Sequence, residues 1–200
     1  MDVIEAIESR RAVKHYDTSY KMPVEHIEKM DELIRASPTA FNIQNWRIVK
    51  VTDPEQRKRI RAAAWDQAQV TDASLLYVLC GDLSAWKKDP ARYWEKAPQE
   101  VRDFMTTNIT AYYKDKPQVQ RDEVMRSCDI LAQTIMIAAK GLGYDSCPMD
   151  GFDFDAVAKI INLPEELALA MFVVVGKSEK PAREKGGFIP NEEVFAENSF

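Results

Sequence analysis

Arg10, Arg11, Lys14 and His15 crowd into one short stretch of a chain whose formal net charge is −5. A phosphate monoester needs about two positive charges plus neutral donors, and the arginine fork matches phosphate oxygens. The stretch lies where a first helix is expected to end, so several side chains can converge on one anion. The same cations also suit a solvated turn, because positive charge is favourable at a helix C-terminus. A second constellation, Thr39, Asn42, Gln44 and Asn45, concentrates hydroxyl and amide groups that both donate and accept. Such groups fit the alternating polar edge of a planar cofactor better than charges do. They also fit an ordinary helix-to-strand connection with turn-forming Pro and Asn. The third feature is Asp150-Gly151, just after a short strand-like segment. A glycine there lets backbone approach a ligand closely, with an exposed N–H facing a flat ring. A plain Asp-Gly turn is the bland alternative.

Val3, Ile4 and Ile7 recur at helical spacing and predict a first helix over residues 2–9. Pro23 opens a second, whose apolar stripe of Ile27, Met30, Leu33 and Ile34 runs through residue 35. Residues 47–51 alternate and are β-branched, as in a strand, and Asp53-Pro54-Glu55 starts another helix. The runs 74–80 and 169–176 are almost continuously apolar, as in strands buried on both faces. Residues 122–140 form the strongest predicted helix. Cys128, Leu131, Ala132, Ile135, Met136 and Ala139 keep helical spacing, and Ile130, Ile137 and Ala138 flank them. Apolar nearly all round, it is expected at the centre of the fold. A short strand over 144–149 precedes Asp153, which can cap a helix running to about Ile161, and a further short strand is expected near Val194-Phe195.

This order predicts an α/β sandwich around a central mixed sheet of four to five strands, in a single domain of residues 1–200. A helical excursion spans about 84–120, and a polar C-terminal arm over about 178–200 is expected to serve dimerisation. The excursion carries Trp86, Tyr93, Trp94, Phe104, Tyr112 and Tyr113, which read either as a pocket wall or as plain helix packing.

The composition, 46% hydrophobic and 30% charged, is globular and argues against disorder. The acidic balance argues against a general nucleic-acid footprint. No apolar run approaches the ~20 residues needed to span a bilayer. The acidic, amphipathic start is unlike a signal peptide. Cys80, Cys128 and Cys147 lie far apart without CxxC spacing, which predicts free thiols in a reducing cytoplasm. His15 and His26 offer no metal-ligand spacing, so no metal site is expected.

Three stretches resemble the FMN-dependent nitroreductase family. Ser9-Arg10-Arg11-Ala12-Val13-Lys14-His15-Tyr16 is similar to its opening motif. Ser37-Pro38-Thr39-Ala40-Phe41-Asn42-Ile43-Gln44-Asn45-Trp46 resembles its second, a Pro-small-small-x-Asn-x-Gln-Pro-Trp loop. Gly141-Leu142-Gly143 through Cys147-Pro148-Met149-Asp150-Gly151-Phe152 resembles the third, and Leu169 to Gly176 its last core strand. Order and spacing hold across nearly the whole chain.

The resemblance implies an α+β, nitroreductase-like fold and an intertwined homodimer with two FMN sites at its interface. It places Arg10 and Arg11, with Ala12 in the same motif, on the phosphate side, and Lys14 near the pyrimidine edge. Pro38, Thr39, Ala40, Asn42 and Gln44 would reach the flavin from the partner subunit, while Asp66 and Gln69 resemble pyrimidine-edge contacts. Pro148, Met149, Asp150 and Gly151 would line the flavin face with the Gly151 N–H at N5, and Lys185 resembles a C-terminal phosphate contact. Four positions depart from the pattern. Ala12 stands where a hydroxyl residue is common, Asn45 replaces the usual Pro, Gln69 sits where some members carry Lys, and Gly187 where Arg is frequent.

The chemistry so implied is a ping-pong hydride transfer. NADH or NADPH delivers hydride to the flavin and leaves, and a small-molecule acceptor such as a nitroaromatic or quinone takes its place. No protein nucleophile is required, and Lys14 and Gly151 would tune the ring. Two alternatives keep the scaffold: a same-fold flavoenzyme with dehydrogenase or dehalogenase chemistry, and a non-catalytic flavin-binding or sensing protein.

Overall fold

In the computed structural model, which describes residues 1–200, local signals set most element boundaries. Asp2 accepts a hydrogen bond from the Glu5 N–H at 2.9 Å and so caps α1 (Val3–Ser9). Pro23 precedes α2 (Val24–Ile34), and β1 (Trp46–Lys50) follows the polar loop. Asp53 caps α3 (Pro54–Ala63), which has Pro at its first position, and a single turn, α4 (Gln69–Asp72), leads into β2 (Leu75–Asp82). The excursion comprises the short α5 (Ala85–Lys88), a 3-10 turn at Pro90–Trp94 and α6 (Gln99–Tyr113). The central helix α7 (Pro117–Gly141) begins earlier than its apolar stripe, because Pro117 starts a first turn that is polar. Then come β3 (Asp145–Met149), α8 (Phe154–Ile160) with its Asp153 cap, β4 (Leu167–Gly176) and the one-turn α9 (Asn191–Val194).

The sheet has four strands in the order β1-β2-β4-β3, and every neighbouring pair is antiparallel. The strand count is thus at the lower end of the expected four to five, while the expected mixed character of the sheet is corrected. The one parallel pairing is a single bridge between Ala12 and Ser146. Continuous apolar runs signalled burial on both faces, and burial does not fix strand direction. Residues near Val194-Phe195 are not a strand either. They form the exposed helix α9 and its end, since the Asn-Glu-Glu following Pro190 favours a helical turn.

β2 shows how both faces come to be covered. Leu76, Val78 and Cys80 join Val51, Ile60, Val70, Cys147, Phe172 and Val174 in one core. The alternate residues Leu75, Tyr77 and Leu79 join Met30, Ile34, Leu131, Ile135 and Ala139 in the other. A third small cluster, Ile43, Ile109 and Tyr113, packs with Phe41, Trp86, Tyr93 and Trp94 and fastens the excursion to the loop before β1. Four of the six aromatic side chains proposed for a pocket wall are therefore packed there, while Phe104 points outward at 66% exposure.

α7 is not buried all round. It lays Leu131, Ile135 and Ala139 on the sheet and turns Ile130 outward. Ile130, Ile137 and Ala138 line an apolar groove of about 530 Å³ together with Val3, Ile7 and Leu33. No helix of the chain is long and apolar enough to cross a membrane.

The three thiols, at Cys80, Cys128 and Cys147, are free and buried. Burial pushes Cys80 and Cys128 up from 9.0 to about 12, the latter helped by its neighbour Cys80. Only the thiolate attacks an alkylating reagent. Iodoacetamide at pH 8 is thus expected to label no cysteine in the native protein and all three after unfolding. The sign of the pH dependence follows. The folded state holds these protons more tightly, so stability is intact below pH 9 and falls as pH rises toward 12. Urea midpoints that stay flat over that window in the wild type would contradict it.

Candidate functional site

The basic cluster is positioned by the end of α1 and by an extended segment that runs beside β3. Val13 N–H donates to Ser146 O at 3.1 Å, and Ala12 bridges Ser146 in parallel. This pinning leaves Arg10, Arg11, Lys14 and His15 around a cavity of about 460 Å³, where Arg183 and Lys185 close the other side. The two readings of the cluster divide between its members. Arg11 donates Nη1 to Glu8 O at 2.6 Å and to Arg10 O at 2.9 Å, so part of its charge serves the end of α1. Burial pushes the Cys147 thiol up, while the neighbouring cations Lys14 and Arg10 pull it down. Lys14 and Arg10 therefore lie against the side of the site built by β3.

The turn after β3 is firmly held. Pro148 pairs with Val173 and Met149 with Phe172, and Met149 is buried. Phe152 stacks on Phe172 with ring centroids 3.9 Å apart and planes 6° from parallel. Asp153 N–H donates to Ala63 O at 2.8 Å, and Gln67 Nε2 donates to Gly151 O at 2.8 Å. The Gly151 N–H itself donates to no group of the chain. A Cβ at Gly151 would fall 2.6 Å from Trp65 Cζ3, and that indole is 74% exposed. The turn thus offers a bare glycine, a free N–H and an aromatic ring beside it.

Asp66 and Gln69 have different surroundings. Asp66 is left-handed (φ 54°) and its Oδ1 accepts from Arg61 Nε at 2.7 Å. Gln69 is buried and donates Nε2 to Gln67 Oε1 at 3.1 Å, so it stands behind the residue that grips Gly151.

The loop before β1 is held in an unusual backbone shape. Phe41, Asn42 and Gln44 all have positive φ, at 53°, 55° and 42°. Thr39 Oγ1 accepts from Gln44 N at 2.9 Å, and Arg47 Nη1 donates to Gln44 O at 2.8 Å. Asn42 Nδ2 donates to Tyr93 O at 3.0 Å, and Trp94 Nε1 donates to Phe41 O at 3.1 Å. Asn42 is exposed, yet both its side-chain Nδ2 and its backbone N–H, which donates to Thr39 O at 3.1 Å, are engaged. Pro38 is exposed, and Thr39, Ala40 and Gln44 are half-buried. Asn45, in the place of the usual Pro, is buried, and its carbonyl accepts from Asp82 N at 2.7 Å.

The sheet keeps these constellations apart within one chain. The loop enters β1 at one edge, while the Gly151 turn and the Ala12 bridge belong to β3 at the other, with β2 and β4 between. Three interstrand spacings of roughly 4.8 Å separate the edges by about 14 Å. The cations and the loop accordingly share no cavity.

Three residues of this region escaped the sequence reading. Arg183 lines the cationic cavity with Lys185, whereas Gly187, two residues on, is exposed, and a side chain there would project into open space. The alternation of Arg183 and Lys185 was a usable signal. Gln67 and Trp65 carried none, because their importance lies in their contact with residue 151, far away in sequence.

The profile of the nitroreductase family matches residues 7–177, and the chain belongs to that family. Protein DrgA of Synechocystis sp. is 46% identical over 182 residues, which is 91% of this chain and 87% of that protein. A Staphylococcus epidermidis protein, provisionally assigned as an NAD(P)H:FMN oxidoreductase, superposes with a TM-score of 0.89 at 26% identity, covering 98% of this chain and 95% of its own. An Exiguobacterium sibiricum protein solved in complex with FMN gives a TM-score of 0.89 at 23% identity, covering 98% and 97%, and attests the fold.

Proposed function

We propose that this protein is an FMN-dependent oxidoreductase, active as a homodimer, that uses NADH or NADPH to reduce small acceptors such as quinones and nitroaromatics. The observation that carries this is the placement of a cation cluster with a free glycine N–H at one sheet edge and a strained amide loop at the other. Two copies of the chain would let one flat, phosphate-bearing molecule touch both constellations at once. The outward apolar face of α1, α2 and α7 gives those copies a surface to bury.

The residues present fit FMN. Arg10, Lys185 and the free part of Arg11 would hold the phosphate, with Arg183 replacing the charge that Gly187 lacks. Lys14 would stabilise negative charge at the pyrimidine edge together with the amides of the partner's loop, while Asp66 would accept a hydrogen bond from a ring N–H there. Pro148, Met149 and Asp150 would present the turn to the ring, and the unpaired Gly151 N–H would meet its central nitrogen. When bound, FMN supplies hydride transfer between the nicotinamide and an oxidised acceptor. The protein's part is to bind, orient and tune. Three free buried thiols suit a cytoplasmic location.

Purified protein is expected to carry one FMN per chain, released in full by heat denaturation, and to oxidise NADH or NADPH when menadione or a nitroaromatic is added. A colourless preparation that binds no added FMN would sink the proposal.

A further inference from the structure

A second basic cavity lies on the far side of the molecule from the phosphate cations. It has a volume of about 680 Å³ and is lined by Arg35, Asn42, Arg92, Trp94 and Lys96, with Glu95 as its one carboxylate. Arg35, Arg92 and Lys96 make no ion pair, and neither does Glu95. Three unpaired cations around one concavity are unusual on a chain of net charge −5.

The walls are also built rather than loose. Arg92 Nη2 donates to Tyr93 OH at 2.9 Å and its guanidinium lies 4.8 Å from the Tyr93 ring centroid. Tyr93 OH in turn donates to Ala85 O at 3.1 Å. The bonds from Asn42 to Tyr93 O and from Trp94 to Phe41 O lock this wall onto the left-handed loop. Arg92 is thus held in place with most of its donors free, which is how a guanidinium is prepared for a phosphate or carboxylate. The Trp94 side chain adds an aromatic surface beside those donors.

We propose that this cavity is an anion-recognition subsite for the substrates: it binds a phosphate or carboxylate group carried by an aromatic compound. The inference rests on the flavin reading for what it feeds, because Asn42 belongs both to this cavity and to the loop proposed to cover the partner's ring. The anion enters either as the 2′-phosphate of NADPH or as a carboxylate on the acceptor. Both use the same cations.

Calorimetry on the protein as purified separates the sources. In the acceptor arm, 4-nitrobenzoate is compared with its neutral isostere 4-nitrobenzamide. In the donor arm, adenosine 2′-monophosphate is compared with adenosine. Wild type is expected to bind at least one anionic probe about tenfold more tightly than its neutral counterpart, as a charge-assisted contact allows. Arg92→Gln with Lys96→Gln should abolish that preference while FMN content per chain stays constant, and Arg35→Gln, on another element, should reduce it separately. Equal binding of anionic and neutral probes by wild type in both arms would overturn the proposal, as would a preference that survives all three substitutions. Flavin absorbance reports on the other reading independently: a colourless protein that still prefers the anions would refute FMN binding and leave the anion subsite standing.

Discussion

Mixing two inactive variants of this chain should rebuild an active protein. One variant, Arg10→Ala with Lys14→Ala, loses the cations at the β3 edge. The other, Asn42→Ala with Gln44→Ala, loses the amides at the β1 edge. Each charge-assisted hydrogen bond removed costs about 1.5–3 kcal/mol, so the first homodimer should retain little FMN. In a heterodimer both lesions fall on one site and the second site is intact. Refolding the two variants together in equal amounts should therefore restore about a quarter of the wild-type flavin content and turnover, since half of the dimers are mixed. A mixture no better than its components would mean that both constellations serve a site within one chain, and the proposed assembly would fail.

The second large effect concerns the core beneath the site. Gly81 sits in β2 where α7 crosses, and a Cβ there would land well inside the van der Waals shell of Val124 Cγ1. Val124 is 1% exposed and has no room to retreat. Gly81→Ala should cost about 1–3 kcal/mol through overpacking, which lowers the melting temperature by roughly 2–4 °C per kcal/mol at this chain length. Val124→Ala alone should also destabilise, by opening a cavity. Together the two should be more stable than the sum of the single losses predicts, because the new methyl fills the space the valine leaves. Strict additivity in urea melts would show that the two positions do not compete for the same volume.

Much of this architecture could be read from local signals. Asp53 and Asp153 were recognisable as helix starts, and each, like Asp2, accepts from the backbone N–H three residues on. The uninterrupted apolar runs of β2 and β4 announced their burial. Their antiparallel direction was hidden, because it depends on how the intervening helices return the chain. α7 misled for a related reason: Ile130 and Ile137 have core-like types but face outward, and a single chain's sequence does not say which apolar face meets a neighbour. At the site, Arg10, Arg11 and Lys14 were legible as a cluster, yet the engagement of Arg11 with the carbonyls of Glu8 and Arg10 required coordinates. Gln67 could not have been singled out, since its worth comes from a carbonyl 84 residues away.

Ile43 gives the excursion a second identity. It lies inside the loop of positive-φ residues, yet its side chain is buried with Ile109 and Tyr113 of α6. Trimming or swapping the excursion to admit bulkier acceptors would also remove the packing that holds the loop in shape. On the proposed reading, one buried side chain would therefore tie acceptor range to cofactor binding, so that a change made to adjust the first would also disturb the second.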